Sequence, residues 1–248
     1  MAETSAERFA IYYAPAADTA LWRFGSSVLG YDAATGEAVP HPDAAIDWAG
    51  VTVAPRRYGF HATLKAPCHL ADGVTVGDVI RLAAEVARAV APVTIDGLQV
   101  RQLGRFVALV PRGDTPEQDV AQKAQVSGLA QAIVEAFEPM RQSLSQSDRS
   151  RFARRELTPR QQENLALFGY PHVREDFRFH MTLSDALPGG KAERFPLWDR
   201  LRTMYEAVDT GPIAIDQLVV CAQPDRQSPF KIAARFPLMG VAKAAVTA

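Results

Sequence analysis

The chain has 248 residues, 48% of them apolar, enough to bury the core of one large domain or of two small lobes. With 27 Lys and Arg against 28 Asp and Glu, the net charge of −1 argues against a nucleic-acid or membrane footprint spread over the whole surface, though it leaves room for a local basic cleft. No stretch approaches eighteen apolar residues, the opening MAETSAERF lacks an apolar run, and Cys68 and Cys221 have no metal-type spacing, so a soluble, cytoplasmic protein with two reduced thiols is expected.

Residues 8–14 (RFAIYYA) read as a strand ending at Pro15. Asp18 is a candidate cap for a helix carrying Leu21, Trp22, Phe24 and Leu29. The Gly- and Pro-rich span 30–57 reads as loop, and a strand follows that should stop at Pro67. Apolar residues at helical spacing over 75–91 predict a helix ended by Pro92. Strands at 93–101 and 105–110, joined near Gly104, predict a hairpin. Thr115-Pro116-Glu117 opens a helix to about Phe137. The Arg-rich run 141–160 (Arg141, Arg149, Arg151, Arg154, Arg155, Arg160) reads as a connection or surface loop. Thr158-Pro159 opens a helix ending at Gly169, and a strand over 177–184, a helix near 196–207 and strands near 212–221 and 230–236 follow.

Two of these strands carry near-copies of one pentapeptide, FHATL at 60–64 and FHMTL at 179–183. Each alternates a polar residue with an apolar one, the period of a strand with one buried face. Alternation puts Gly59, His61, Thr63 and Lys65 on one face of the first, and Arg178, His180, Thr182 and Ser184 on one face of the second. An imidazole exchanges protons near neutral pH, a hydroxyl donates to a phosphoryl oxygen, and Lys65 and Arg178 supply positive charge. One H-x-T has almost no specificity, and a lone histidine is usually structural. Two copies in halves of similar element order favour the functional reading for His61 and His180, and after them for Thr63 and Thr182. Gly59 reads foremost as a strand entry or bulge.

His41, His69 and His172 lack such a setting and read as surface or structural residues. Tyr12, Tyr58, Trp22 and Tyr170 read as core packing before ligand stacking. Arg56 and Arg57 sit where a cleft rim would be. No metal and no cofactor is expected, since no carboxylate is in register with the histidines and Lys65 and Arg178 would repel a cation.

The paired H-x-T segments resemble the signature of the 2H phosphoesterase superfamily, the LigT-like RNA ligases and cyclic phosphodiesterases. The longer segments YGFHATLKAP (58–67) and FGYPHVREDFRFHMTL (168–183) are similar to an uncharacterised bacterial branch found beside phosphonate-utilisation genes. The resemblance implies an α+β, bilobal, pseudo-twofold fold: antiparallel or mixed sheets facing a central groove, helices outside, lobes near 1–112 and 158–240, and a connection over 113–157. It also implies His61 and His180 as the acid/base pair, Thr63 and Thr182 on phosphate oxygens, and a small phosphorylated partner such as a cyclic phosphate or a nucleotide. RNA 2′,5′ ligation or cyclic-end processing ranks second, because the composition has no basic excess. A non-catalytic nucleotide-binding module ranks third, because binding has no need of two proton-transfer groups.

Overall fold

The computed structural model describes residues 7–113, 115–154, 156–208 and 211–241. The chain opens with β1 (Arg8–Tyr13), buried along its length. The next helix, α1 (Ala20–Leu29), is capped by the Thr19 hydroxyl, one residue past the expected Asp18, and closes on Gly30 in the left-handed conformation. The span read as loop holds only short pieces: β2 (Tyr31–Asp32), β3 (Glu37–Ala38), α2 (Trp48–Val51) and α3 (Val53–Arg56). Then come β4 (Ala62–His69), α4 (Val76–Ala89), β5 (Val93–Ile95), β6 (Leu98–Leu103), β7 (Phe106–Pro111) and α5 (Pro116–Ala136). The chain continues through α6 (Gln146–Ala153), α7 (Pro159–Phe168), β8 (Met181–Thr182), α8 (Lys191–Glu206), β9 (Ile213–Ile215), β10 (Gln217–Gln223) and β11 (Lys231–Pro237).

Local signals explain most of these boundaries. Thr75, Thr115 and Thr158 each close a capping box with the residue three positions on, at the starts of α4, α5 and α7. Gly104 has φ +60° in the two-residue turn between β6 and β7. The expected strand 93–101 is split at Gly97, so β5 pairs with β9 instead of joining the hairpin. The helix expected from 196 starts at Lys191, because Glu193 accepts from the Gly190 amide and Pro196 is carried inside the helix.

The protein is α+β, with antiparallel strands. Among the described residues one sheet of seven strands runs β11-β10-β1-β4-β8-β7-β6. The expected pair of sheets is present as two half-sheets, which meet edge to edge at β4 and β8 through the pair Ala62↔Met181. α4, α5 and α8 cover one face, where Val79, Ile133 and Leu201 pack with Phe9, Ile11 and Leu64. α5, within the expected connection 113–157, thus belongs to the core and packs on β4. His61, Thr63, His180 and Thr182 lie on the other face.

Two irregularities in β4 decide what reaches that face. Tyr12 pairs with Thr63 but Ile11 with Lys65, and the next shift falls between Ile11 and Phe9, which pairs with Cys68. Each shift puts one extra residue into β4. The strand therefore continues through Pro67 to His69 rather than stopping, because a bulge does not require the missing N–H.

Candidate active site

The seam between the half-sheets brings the two motifs together. Ala62 and Met181 are the central residues of the two H-x-T triplets, and they are antiparallel partners. That register sets His61 across from Thr182 and Thr63 across from His180. Ala62 and Met181 are fully buried on the helix-covered face. Alternation then sends both histidines and both threonines to the open face. There His61, Thr63 and Thr182 line a cavity of about 440 Å³, and Thr63 also lines the adjoining groove with His180.

His61 is held on three sides. Its Nδ1 lies 2.9 Å from the Gly59 carbonyl, its Nε2 lies 3.2 Å from the Thr63 hydroxyl, and its ring stacks on Tyr12 with centroids 3.7 Å apart. A carbonyl can only accept, so Nδ1 carries the proton and Nε2 presents a lone pair in the neutral ring. Burial, and then repulsion from His180, lower its pKa to about 4, against the opposing pull of the Gly59 carbonyl. Gly59 makes this possible. Its φ is +71°, and a Cβ there would stand 2.5 Å from the Ala33 Cβ.

His180 repeats part of the pattern. Its Nδ1 donates to the Arg178 carbonyl at 2.8 Å, two residues back as in the first motif, which leaves Nε2 toward the groove. Its ring leans on Phe106 at 5.7 Å rather than stacking on a tyrosine. Burial lowers its pKa below the ordinary imidazole value, partly offset by the Arg178 carbonyl. The strand expected over 177–184 is regular only at Met181 and Thr182, so the loop before it carries His180.

Lys65 does not join this face. The shift after Thr63 turns it toward Ile11's side of the sheet, where it is buried, bonds Glu138 at 2.9 Å and donates to the Val134 carbonyl of α5. Arg178 is exposed and lines the groove beside His180. Ser184 lies on the expected face, but its hydroxyl is committed to the Val107 amide and the Asp185 carbonyl. Tyr12, read as core packing, is the support under His61, a relation set by sheet register and invisible in the local sequence. Arg56 is tied to the Leu29 and Ala49 carbonyls and the Thr52 hydroxyl, away from the cavity. In the Arg-rich run, α6 sets Arg151 and Asp148 on the cavity wall, whereas Arg141 bonds Glu138 and Arg160 bonds Asp176. Arg155 lies outside the described residues. His69, read as a surface or structural residue, lines the cavity. Among the described residues no three His, Cys, Asp or Glu side chains are grouped to hold a metal ion, and no helix is long and apolar enough to cross a membrane.

An antiparallel sheet thus sets the two H-x-T triplets side by side at one seam, the arrangement that the resemblance of the motifs implies. The chain belongs to the family described as a protein of unknown function (DUF1045), which matches residues 63–231. It is also 33% identical over 242 residues to a protein of Janthinobacterium sp. (strain Marseille) named ribose 1,5-bisphosphate phosphokinase PhnN, covering 95% of this chain and 52% of that one. A protein of the same name from Laribacter hongkongensis is 33% identical over 189 residues, covering 73% of this chain and 40% of that one. The chain thus spans about half the length of the curated relatives it matches. Solved structures that align with it include TT0787 of Thermus thermophilus (TM-score 0.44, 13% identity) and E. coli LigT complexed with NADP+ (TM-score 0.33, 14% identity). Each alignment covers 94% of this chain and 98% of the other.

Proposed function

We propose that the protein is a phosphoesterase that hydrolyses a cyclic or small phosphodiester by two-histidine acid/base catalysis, with no metal required for either proton transfer. The observation that carries this reading is the pairing of Ala62 with Met181, which brings the two H-x-T triplets side by side, His61, Thr63 and Thr182 on the cavity and His180 on the groove that adjoins it at Thr63. A binding site has no use for two imidazoles each anchored through Nδ1 to the carbonyl two residues back.

The roles follow from the asymmetry of the pair. Burial depresses both rings and their repulsion is mutual, but His61, packed against Tyr12, is pushed the further, to about 4. A single proton shared by the pair therefore goes to His180. Neutral His61 takes a proton from water through Nε2 as the water oxygen bonds to phosphorus. Protonated His180 gives its Nε2 proton to the alkoxide that leaves as the P–O ester bond breaks. The products are a phosphomonoester and a free hydroxyl, and the pair is left with its proton on His61. Thr63 and Thr182 donate to the non-bridging oxygens as charge builds on them. A ribose cyclic phosphate is the finer reading, supported by the name carried by the curated relatives, which puts phosphorylated ribose in their chemistry.

The test is ³¹P NMR of ribose and nucleoside 2′,3′-cyclic phosphates incubated with wild type, His61→Ala and His180→Ala in the presence of a chelator. Conversion to a phosphomonoester by wild type, lost in both variants, is expected. Conversion retained in both variants sinks the two-histidine mechanism.

A further inference from the structure

The cavity that holds His61 has a second charged end that the proposed reaction does not use. Arg8 pairs with His69 across β1 and β4, on the face shared by Tyr12 and Thr63. It is four residues along β1 from Tyr12, roughly 13 Å of strand. Arg8 is only 7% exposed yet lines the cavity. Its Nη1 donates to Gln223 at 2.8 Å, and its Nε–H has no partner. Among the described residues no carboxylate pairs with it. Arg226 and Arg151 line the same end, both bonded to Asp148, at 2.7 Å and 3.2 Å, and Arg226 also donates to His69 Nε2 at 3.1 Å. Two of the three guanidiniums thus share one carboxylate, and Arg8 has none. Burial, then the charges of Arg226 and Arg151, hold Arg8 below the ordinary arginine value. A buried guanidinium without a counter-charge is costly unless an anion completes it. Between the two ends the wall is formed by Tyr12 and Tyr58, with Phe230 behind them stacked on Tyr58 at 5.6 Å.

We propose that the Arg8–Arg151–Arg226 end of the cavity binds a second phosphoryl group of the substrate, so that the protein takes small molecules with a phosphodiester at one end and a phosphomonoester at the other. The proposal rests on the phosphodiester reading of the histidine end and specifies its substrate class. A cavity of about 440 Å³ fits one sugar-sized body between the two groups. Arg226 and Arg151 offer planar donors to the phosphomonoester, and Arg8 supplies buried charge that water does not screen.

Two probes separate this claim from the reaction itself: methyl ribofuranoside 2,3-cyclic phosphate and the same compound phosphorylated at O5. Wild type should favour the phosphorylated probe at least tenfold in kcat/KM, mainly through KM. In Arg226→Met, whose side chain is 41% exposed and whose fold is least at risk, that preference should fall below twofold. No preference in wild type, or the full preference retained in Arg226→Met, overturns the second site. Calorimetry with the His61→Ala/His180→Ala double variant makes the same comparison without turnover. Tighter binding of the phosphorylated probe, lost on adding Arg226→Met, supports the site even where neither probe is hydrolysed and the catalytic reading has failed. Equal affinity for the two probes, or no binding of the phosphorylated one, overturns it.

Discussion

The two motif segments share four of five residues, yet the chain holds them in different ways. The first lies at the start of an eight-residue strand, with a tyrosine under its histidine and its threonine bonded to Nε2. The second is regular over two residues only, and its histidine is fixed by one carbonyl and a tilted phenylalanine. What the halves share is the Nδ1–H donated to the carbonyl two residues back, which leaves Nε2 as the proton-accepting nitrogen in both. What differs is burial and the ring each packs against, and so the readiness of each imidazole to hold a proton. Near-identical local sequence supplies a pair, and in the proposed reaction its unequal surroundings assign the two members different roles.

The largest effect should come from breaking the pair. His61→Ala and His180→Ala should each lower kcat by about 10²- to 10⁴-fold with little change in melting temperature, measured on a cyclic phosphodiester. Thr63→Val and Thr182→Val should each cost about 10- to 100-fold in kcat. Thr63→Val should be the worse of the two, since it also frees the His61 Nε2. An equal loss in both would erase the proposed asymmetry. Gly59→Ala forces a side chain into a left-handed backbone position, at about 1–2 kcal/mol, and against Ala33. It should lower both stability and kcat, as read by denaturant melts and by turnover of the folded enzyme.

Lys65→Met sharpens the same contrast from the other side. It removes a buried partner of Glu138, which keeps its bond to Arg141, so stability should fall by about 1–3 kcal/mol. Turnover by the folded protein should stay within about twofold, because the ammonium lies on the helix side of the sheet. A tenfold rise in KM would return Lys65 to the substrate. The smallest effect is on stability against pH. Both histidines are harder to protonate folded than unfolded, so below pH 6.5 the unfolded chain binds more protons. Their contribution is complete above 6.5 and is lost as pH falls toward about 4. His61→Gln should flatten that slope in melts run across the range.

Much of this arrangement was legible in the chain. Capping threonines, Pro at the first helical turn and the Gly104 turn placed α5, α7 and the β6–β7 hairpin, because those signals act within a few residues. Phe-His-x-Thr-Leu repeated in two alternating strands named the four groups at the seam. Lys65 escaped because alternation assumes an unbroken pleat, and the extra residue in β4 is set by pairing with Tyr12 and Ile11. Arg8, Arg226 and Asp148 escaped because they come from three distant segments, and no spacing in the sequence records that they share a cavity. Tyr12 was visible only as an aromatic in a buried strand. Its place under His61 is a property of register.

The division of labour between the histidines is most directly tested by the pH dependence of kcat/KM for a cyclic phosphodiester, which reports the groups of the free enzyme. The account predicts a bell with an acid limb near pH 4, from His61, and an alkaline limb below 6.5, from His180. In His61→Ala the residual activity should lose the acid limb and keep the alkaline one. Limbs that both lie above pH 7, or a bell unchanged in His61→Ala, would contradict it.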